Sequence, residues 1–191
     1  MGLTGGIGAG KSEALAALGR LGAATLSADA VVHEIYEDPE VRDAVVGRWG
    51  EAVAPGGAVD RSAVAGRAFG SSAERTWLEG VLWPRVGDRI ARWRADESRR
   101  DPAPLALVVE VPLLFEAGME AGFDATIVIT ADEPIRRKRA AGRGHEAVDE
   151  RTTRQLTQEE KAARATYVVA NSGTIEELER TLSDVLEKLK R

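Results

Sequence analysis

Gly2-Leu3-Thr4-Gly5-Gly6-Ile7-Gly8-Ala9-Gly10-Lys11-Ser12 stands at the head of the chain, and Gly5 to Ser12 fits the pattern G-x-x-x-x-G-K-[S/T]. The apolar run Met1–Thr4 precedes it as a candidate strand. Ser12–Leu21 follows as a candidate helix, with Leu15, Leu18 and Leu21 on one side and a stop at Gly22. Strand, glycine-rich loop and helix form the context in which these letters carry a mechanism. Glycines let successive backbone N–H groups turn inward, and the helix adds its positive N-terminal end, so the two together make a phosphate cradle. Lys11 then reaches the β- and γ-phosphates, and the Ser12 hydroxyl is offered to Mg²⁺. A chance match in a chain of this composition has a probability of about 0.005. Gly6-Ile7-Gly8 also begins like a dinucleotide fingerprint, but that pattern needs glycine where Lys11 stands, which disfavours NAD.

Working outward, 191 residues with 43% hydrophobic and 30% charged content suit one compact domain. Short β-branched runs alternate with 3.6-residue periodicity, which predicts an α/β fold with a five-stranded, mainly parallel sheet. The candidate strands are Met1–Thr4, Ala23–Ser27, Leu105–Val111, Ala125–Thr130 and Tyr167–Ala170; Leu105–Val111 is almost wholly apolar, as a central strand covered on both faces should be. Met1–Thr4 is short for a sheet strand, the expectation for a chain that starts a few residues late. Thr174 and Glu177 form a capping box ahead of Leu178, Leu182, Leu186 and Leu189. The core is expected over about 1–29 and 105–191. Residues 30–104 read as a helical substrate-side insertion, broken at Pro55-Gly56-Gly57 and at Pro84 within Trp77–Trp93. Arg136 to Arg164, arginine-rich and carrying Gly142 and Gly144, reads as a hinged lid.

Composition removes several classes. No stretch nears the roughly 18 apolar residues of a membrane helix, and the N-terminus lacks a secretory layout, so a cytoplasmic protein without membrane partners is expected. The absence of cysteine excludes disulfides and thiol catalysis, and two histidines, His33 and His145, leave only oxygen ligands for a hard ion. A net charge of -5 argues against nucleic acid as a partner. Arginine supplies 21 of the 26 basic residues, so a single arginine means little and a lone lysine means more. The guanine motif Asn-Lys-x-Asp and the switch motif Asp-x-x-Gly are missing, which narrows the loop to ATP-using enzymes. A helical insertion and an arginine-rich lid that excludes water suit a small-molecule kinase.

Gly2-Leu3-Thr4-Gly5-Gly6-Ile7-Gly8, Ala28-Asp29 with His33, Val111-Pro112-Leu113-Leu114-Phe115-Glu116 and Ala170-Asn171-Ser172-Gly173 together resemble the dephospho-CoA kinases, nearly end to end. The resemblance implies a P-loop α/β kinase that uses MgATP to phosphorylate the ribose 3′-hydroxyl of dephospho-CoA, the last step of coenzyme A synthesis. The oligomeric state stays open, as does another small-metabolite kinase or a weakly active nucleotide-binding paralogue.

The resemblance assigns Asp29, just past the second strand, as the base for that hydroxyl; an N-cap for a helix beginning near Ala30 would use aspartate equally. Lys11 and Arg139 complete the catalytic set. The nucleotide site is Gly6, Ile7, Gly8, Ala9, Gly10, Lys11, Ser12 and Glu13, with Arg143 as a second phosphate clamp and Asn171 at the adenine. Ser12 and Glu110 are the metal-side residues, Glu110 standing where the family often has aspartate; pairing with a structural arginine is the other reading. His33, Pro112, Leu113, Leu114, Phe115 and Arg139 are expected on the acceptor, the apolar four against the pantetheine arm or within the core. Gln155 matches a glutamine that follows the lid. Four positions depart from the family pattern, Ser27, Trp83, Gly144 and Thr166, and are expected on the substrate side.

Overall fold

The computed structural model describes residues 1–141 and 155–189, which divide into two compact units: Met1–Ser27 with Asp96–Arg191, and Ala28–Ala95. The first unit holds five strands, β1 (Gly2–Gly5), β2 (Ala24–Ser27), β3 (Leu107–Glu110), β4 (Thr126–Thr130) and β5 (Tyr167–Ala170). All pair in parallel in the order β2-β3-β1-β4-β5. Each predicted strand is present, within two residues of its expected ends. The central strand, however, is β1 and not β3. Four residues suffice for that place because every one of them is buried, and Gly2 and Leu3 pair on both sides, with Val109 and Glu110 and with Thr126 and Ile127. Leu105 is half exposed and Leu107 only partly buried, so the buried part of the β3 run begins at Val108.

Helix α1 (Lys11–Arg20) packs on β1, β2 and β3 and against the C-terminal helix. That last helix, Ile175–Lys188 and here α8, carries the predicted capping box: Thr174 Oγ1 accepts from Glu177 N–H at 3.3 Å, and Glu177 Oε2 accepts from Thr174 N–H at 2.9 Å. Leu178, Leu182 and Leu186 then face Leu3, Leu18, Ile127 and Val169 in one core cluster.

The second unit is helical: α2 (Ala28–Ile35), α3 (Pro39–Trp49), α4 (Arg61–Phe69) and most of α5 (Ser72–Glu97). Asp38 and Asp60 cap α3 and α4 by accepting first-turn N–H groups. The Pro55-Gly56-Gly57 turn forms as expected, with both glycines at positive φ. Its small core, Val45, Val53 and Val64, is closed by Trp49 and Trp77, edge to face at 5.0 Å. Trp49 Nε1–H and the Arg48 guanidinium both donate to Glu74, which holds that carboxyl below the usual carboxylate range.

The expected break at Pro84 does not occur: α5 runs through it for 26 residues. Proline removes the N–H that would serve Gly80 C=O, and the Arg85 guanidinium adds a bond at the neighbouring Val81 C=O at 2.9 Å, while Leu82, Val86 and Ile90 are buried on both sides of the proline. Trp83 is 52% exposed and does not fill the core. Thr166 also differs from expectation. It precedes β5 at the N-terminal edge of the sheet, opposite the phosphate loop, and exchanges hydrogen bonds with Thr126: each backbone N–H donates to the other's Oγ1 at 3.0 Å.

Because Leu182 is fully buried, Leu182→Ala leaves a cavity and should cost about 3 kcal/mol in urea unfolding. Thr174→Ala removes one cap and should cost about 1 kcal/mol in the same measurement.

Candidate active site

The parallel sheet delivers the C-terminal ends of its strands to one edge, where open α/β sheets hold ligands. β1 runs into the Gly6–Gly10 loop, which leads directly into α1 at Lys11. Two glycines of this loop are fixed by geometry. Gly8 and Gly10 have φ of 76° and 93°, and a Cβ on Gly8 would meet the backbone of Arg136, one on Gly10 the Asn171 amide. α1 has no side-chain N-cap. Its first-turn amides, which have no carbonyl one turn back inside the helix, therefore face the loop as anion donors. This cradle fits nucleotide phosphates as the sequence anticipates.

Three side chains hold the loop from outside by its carbonyl oxygens. Asn171 Nδ2–H donates to Ala9 C=O at 2.8 Å, Arg136 Nε–H to Ile7 C=O at 3.1 Å, and the Lys11 ammonium folds back to Gly6 C=O at 3.3 Å. Arg139 Nη1–H reaches Asn171 C=O at 3.0 Å. Both arginines lie on α6 (Glu133–Ala141), which follows β4. Lys11, Arg136 and Arg139 therefore place three positive charges at the loop. Glu133 pairs with Arg136 and Arg137, and the Arg137 hydrogen bond does most to keep its carboxyl below the ordinary range. Arg137 itself is an exposed surface charge.

The sequence-assigned residues are distributed as follows. Ser12 is exposed at the start of α1, while the Glu13 carboxylate pairs with Arg20 at 2.9 Å, leaving its backbone amide as the group for phosphate. Glu110 ends β3 at 6% exposure, registered with Leu3 and Ser27. Asn171 is buried and commits its amide N–H to the loop backbone, a role distinct from the adenine contact expected of it. Of the apolar four, Leu114 and Phe115 point into the core at 0% and 3% exposure, so only Pro112 and Leu113 present surface. Arg143 and Gly144 lie outside the described residues.

Asp29 and His33 belong to α2 in the second unit. The helix begins at Ala28, two residues earlier than the sequence suggests, so Asp29 sits within its first turn and not at the cap. Its exposed carboxylate makes no hydrogen bond among the described residues. His33 lines a cavity of ≈ 390 Å³ with Tyr36, Glu37, Arg42 and Arg61. Burial pushes the Tyr36 hydroxyl up to about 12, with Arg61 opposing the shift.

Two contributors escaped the sequence reading. Gln158, on α7 (Gln158–Arg164), accepts from Ala131 N–H at 2.8 Å and donates to Ala131 C=O at 3.2 Å, pinning that helix to the end of β4. Gln155, the residue expected to matter here, is half-buried nearby in sequence. Lys161, also on α7, is fully buried against Glu116 and Pro112. The usable signal was a lysine in an arginine-dominated chain, placed among the small residues of a short amphipathic segment.

Known proteins share this arrangement. The family model described as dephospho-CoA kinase matches residues 1–177. A dephospho-CoA kinase of Deinococcus radiodurans is 39% identical over 192 residues, covering 99% of this chain and 91% of that protein. A solved Thermus thermophilus structure superposes with a TM-score of 0.81 at 33% identity, covering 98% and 96% of the two chains. The dephospho-CoA kinase of Campylobacter jejuni, at 23% identity and a TM-score of 0.70 over 98% and 95%, shares the fold. With a phosphate loop on a five-stranded parallel sheet and a family match over nearly its whole length, the chain belongs to the dephospho-CoA kinase family.

Proposed function

We propose that this chain transfers the γ-phosphoryl group of ATP to the ribose 3′-hydroxyl of dephospho-CoA, giving coenzyme A and ADP, with Asp29 as the base and Lys11 as the principal charge on the transferring group. The family match across residues 1–177 carries the reaction, and the loop geometry supports the residue roles. When bound, MgATP would supply the phosphoryl group and a cation to offset the charge of its phosphates. Gly6 to Glu13 would hold those phosphates through backbone N–H groups, and Ser12 with Glu110 offers oxygen donors of the kind Mg²⁺ prefers.

Lys11 is the residue with most to gain. Its ammonium lies against the Gly6 carbonyl at 3.3 Å, at the loop, and would turn from there to the phosphate oxygens. Arg139 is linked to the loop through Asn171 and would neutralise charge developing on the phosphoryl oxygens. Asp29, two residues beyond the C-terminal end of β2 and with its carboxylate uncommitted, would accept the proton of the attacking hydroxyl and orient its oxygen. The His33 cavity, with Tyr36, Arg61 and an Arg42 that pairs with Asp43, would offer the acceptor polar contacts. Pro112 and the exposed Leu113 would meet its apolar arm.

Turnover with MgATP should be strong for dephospho-CoA and absent for adenosine, AMP, shikimate and pantothenate, with phosphorus NMR placing the new group at the 3′ position; an equal rate with any of the others would overturn the assignment. Lys11→Ala should lower kcat at least about 10²-fold through lost transition-state charge stabilisation. Asp29→Asn should keep ATP affinity and lower kcat about 10²- to 10⁴-fold, and unchanged turnover would retire Asp29 as the base.

A further inference from the structure

Lys161 is the bulkiest fully buried side chain among the described residues. Its ammonium donates to Glu116 Oε1 at 3.0 Å and to Pro112 C=O at 2.9 Å. Glu116 Oε1 also accepts from Leu156 N–H at 2.9 Å, and Pro112 C=O also accepts from Thr4 Oγ1 at 3.1 Å. One buried ion pair thus joins the end of β1, the 112–116 segment after β3, and the chain that enters and forms α7. A buried pair of this kind is a poor way to gain stability, since desolvation offsets most of the attraction and apolar replacements often do as well. Its geometric consequence is larger.

Within the 112–119 segment, the carbonyls of Leu113, Leu114 and Phe115 are all used locally, accepting from Ala117, Met119 and Gly118 N–H. The Pro112 carbonyl is tied outward, by Thr4 and Lys161. With Val111 N–H on Leu3 C=O at 2.8 Å, those two bonds fix how the turn meets the sheet, and with it where Pro112 and the exposed Leu113 stand.

We propose that Lys161 is a positioning residue for the acceptor: with Glu116 it holds the Pro112–Leu113 surface in place, and it acts on dephospho-CoA binding while leaving the nucleotide site alone. The inference rests on the reading of Pro112 and Leu113 as acceptor surface. Selectivity between the substrates follows from the contacts. The phosphate loop has its own holds, Asn171 on Ala9 and Arg136 on Ile7, neither of which passes through Lys161.

The test is the Lys161→Met, Glu116→Gln double variant, which removes both charges together and keeps an amide oxygen for Leu156 N–H. The KM for dephospho-CoA should rise about tenfold, with kcat and the KM for ATP within about twofold of wild type, as expected when only acceptor placement is lost. An unchanged acceptor KM, or equal rises in both KM values, would overturn the proposal by reducing Lys161 to a structural element. Should the double variant not fold, Glu116→Gln alone decides the matter: about a threefold rise confined to the acceptor KM supports positioning, and no change overturns it. Wild-type turnover of dephospho-CoA is measured first. Its absence would count against the assigned reaction, and the same comparison run with whichever acceptor wild type does phosphorylate would still decide the role of Lys161.

Discussion

A loop that turns its amides toward an anion turns its carbonyls away from it, and in a glycine-rich stretch no side chains of its own can hold those carbonyls. Much of the catalytic unit is arranged around that constraint. Ala9, Ile7 and Gly6 each find a donor, from Asn171, Arg136 and Lys11, so the end of β5, helix α6 and the start of α1 all converge on the five residues Gly6–Gly10. Arg139 then binds the Asn171 carbonyl, which couples α6 to the β5 end as well as to the loop. A substitution at Gly8 or Gly10 would meet Arg136 or Asn171 at once, so the loop and its supports must be conserved or changed as a set.

The sheet supplies the second half of the arrangement. β1 is short, but its position between β3 and β4 places the loop at the centre of the C-terminal edge, with Glu110 on one side and Thr130 on the other. Thr4, fully buried one residue before Gly5, spends its hydroxyl on Pro112. The strand that leads into the phosphate loop and the segment after β3 are therefore joined at the base by neutral hydrogen bonds, the Thr4 hydroxyl on Pro112 and Val111 N–H on Leu3 C=O.

What the sequence disclosed and what it hid divide along contact distance. The loop and the Thr174 capping box were legible because their partners lie within a few residues, and local chemistry dictates the backbone. Five strands were legible through apolar runs, but their order was not, and the strand with the longest apolar run turned out to flank the centre. Arg136 looked like one more solvated charge among 21 arginines, because nothing local reveals a bond to a carbonyl 129 residues away. Asn171 was expected at the adenine, and its amide reaches back 162 residues to Ala9, a contact that nothing local announces. Pro84 misled in the opposite sense: its local rule predicts a break, yet the helix runs on with Leu82, Val86 and Ile90 buried along one face across it.

The departures from the family pattern take on different meanings once placed. Thr166 stands at the far edge of the sheet, where a pair of threonines exchanges four polar groups between the starts of β4 and β5. An acidic side chain is not needed there, because the Thr126 hydroxyl and amide already satisfy the edge. Ser27 differs: it is registered with Glu110 at the C-terminal edge, beside the only carboxylate that ends a strand. An aspartate at that position would set a second negative charge next to a buried one, whereas serine adds only a dipole.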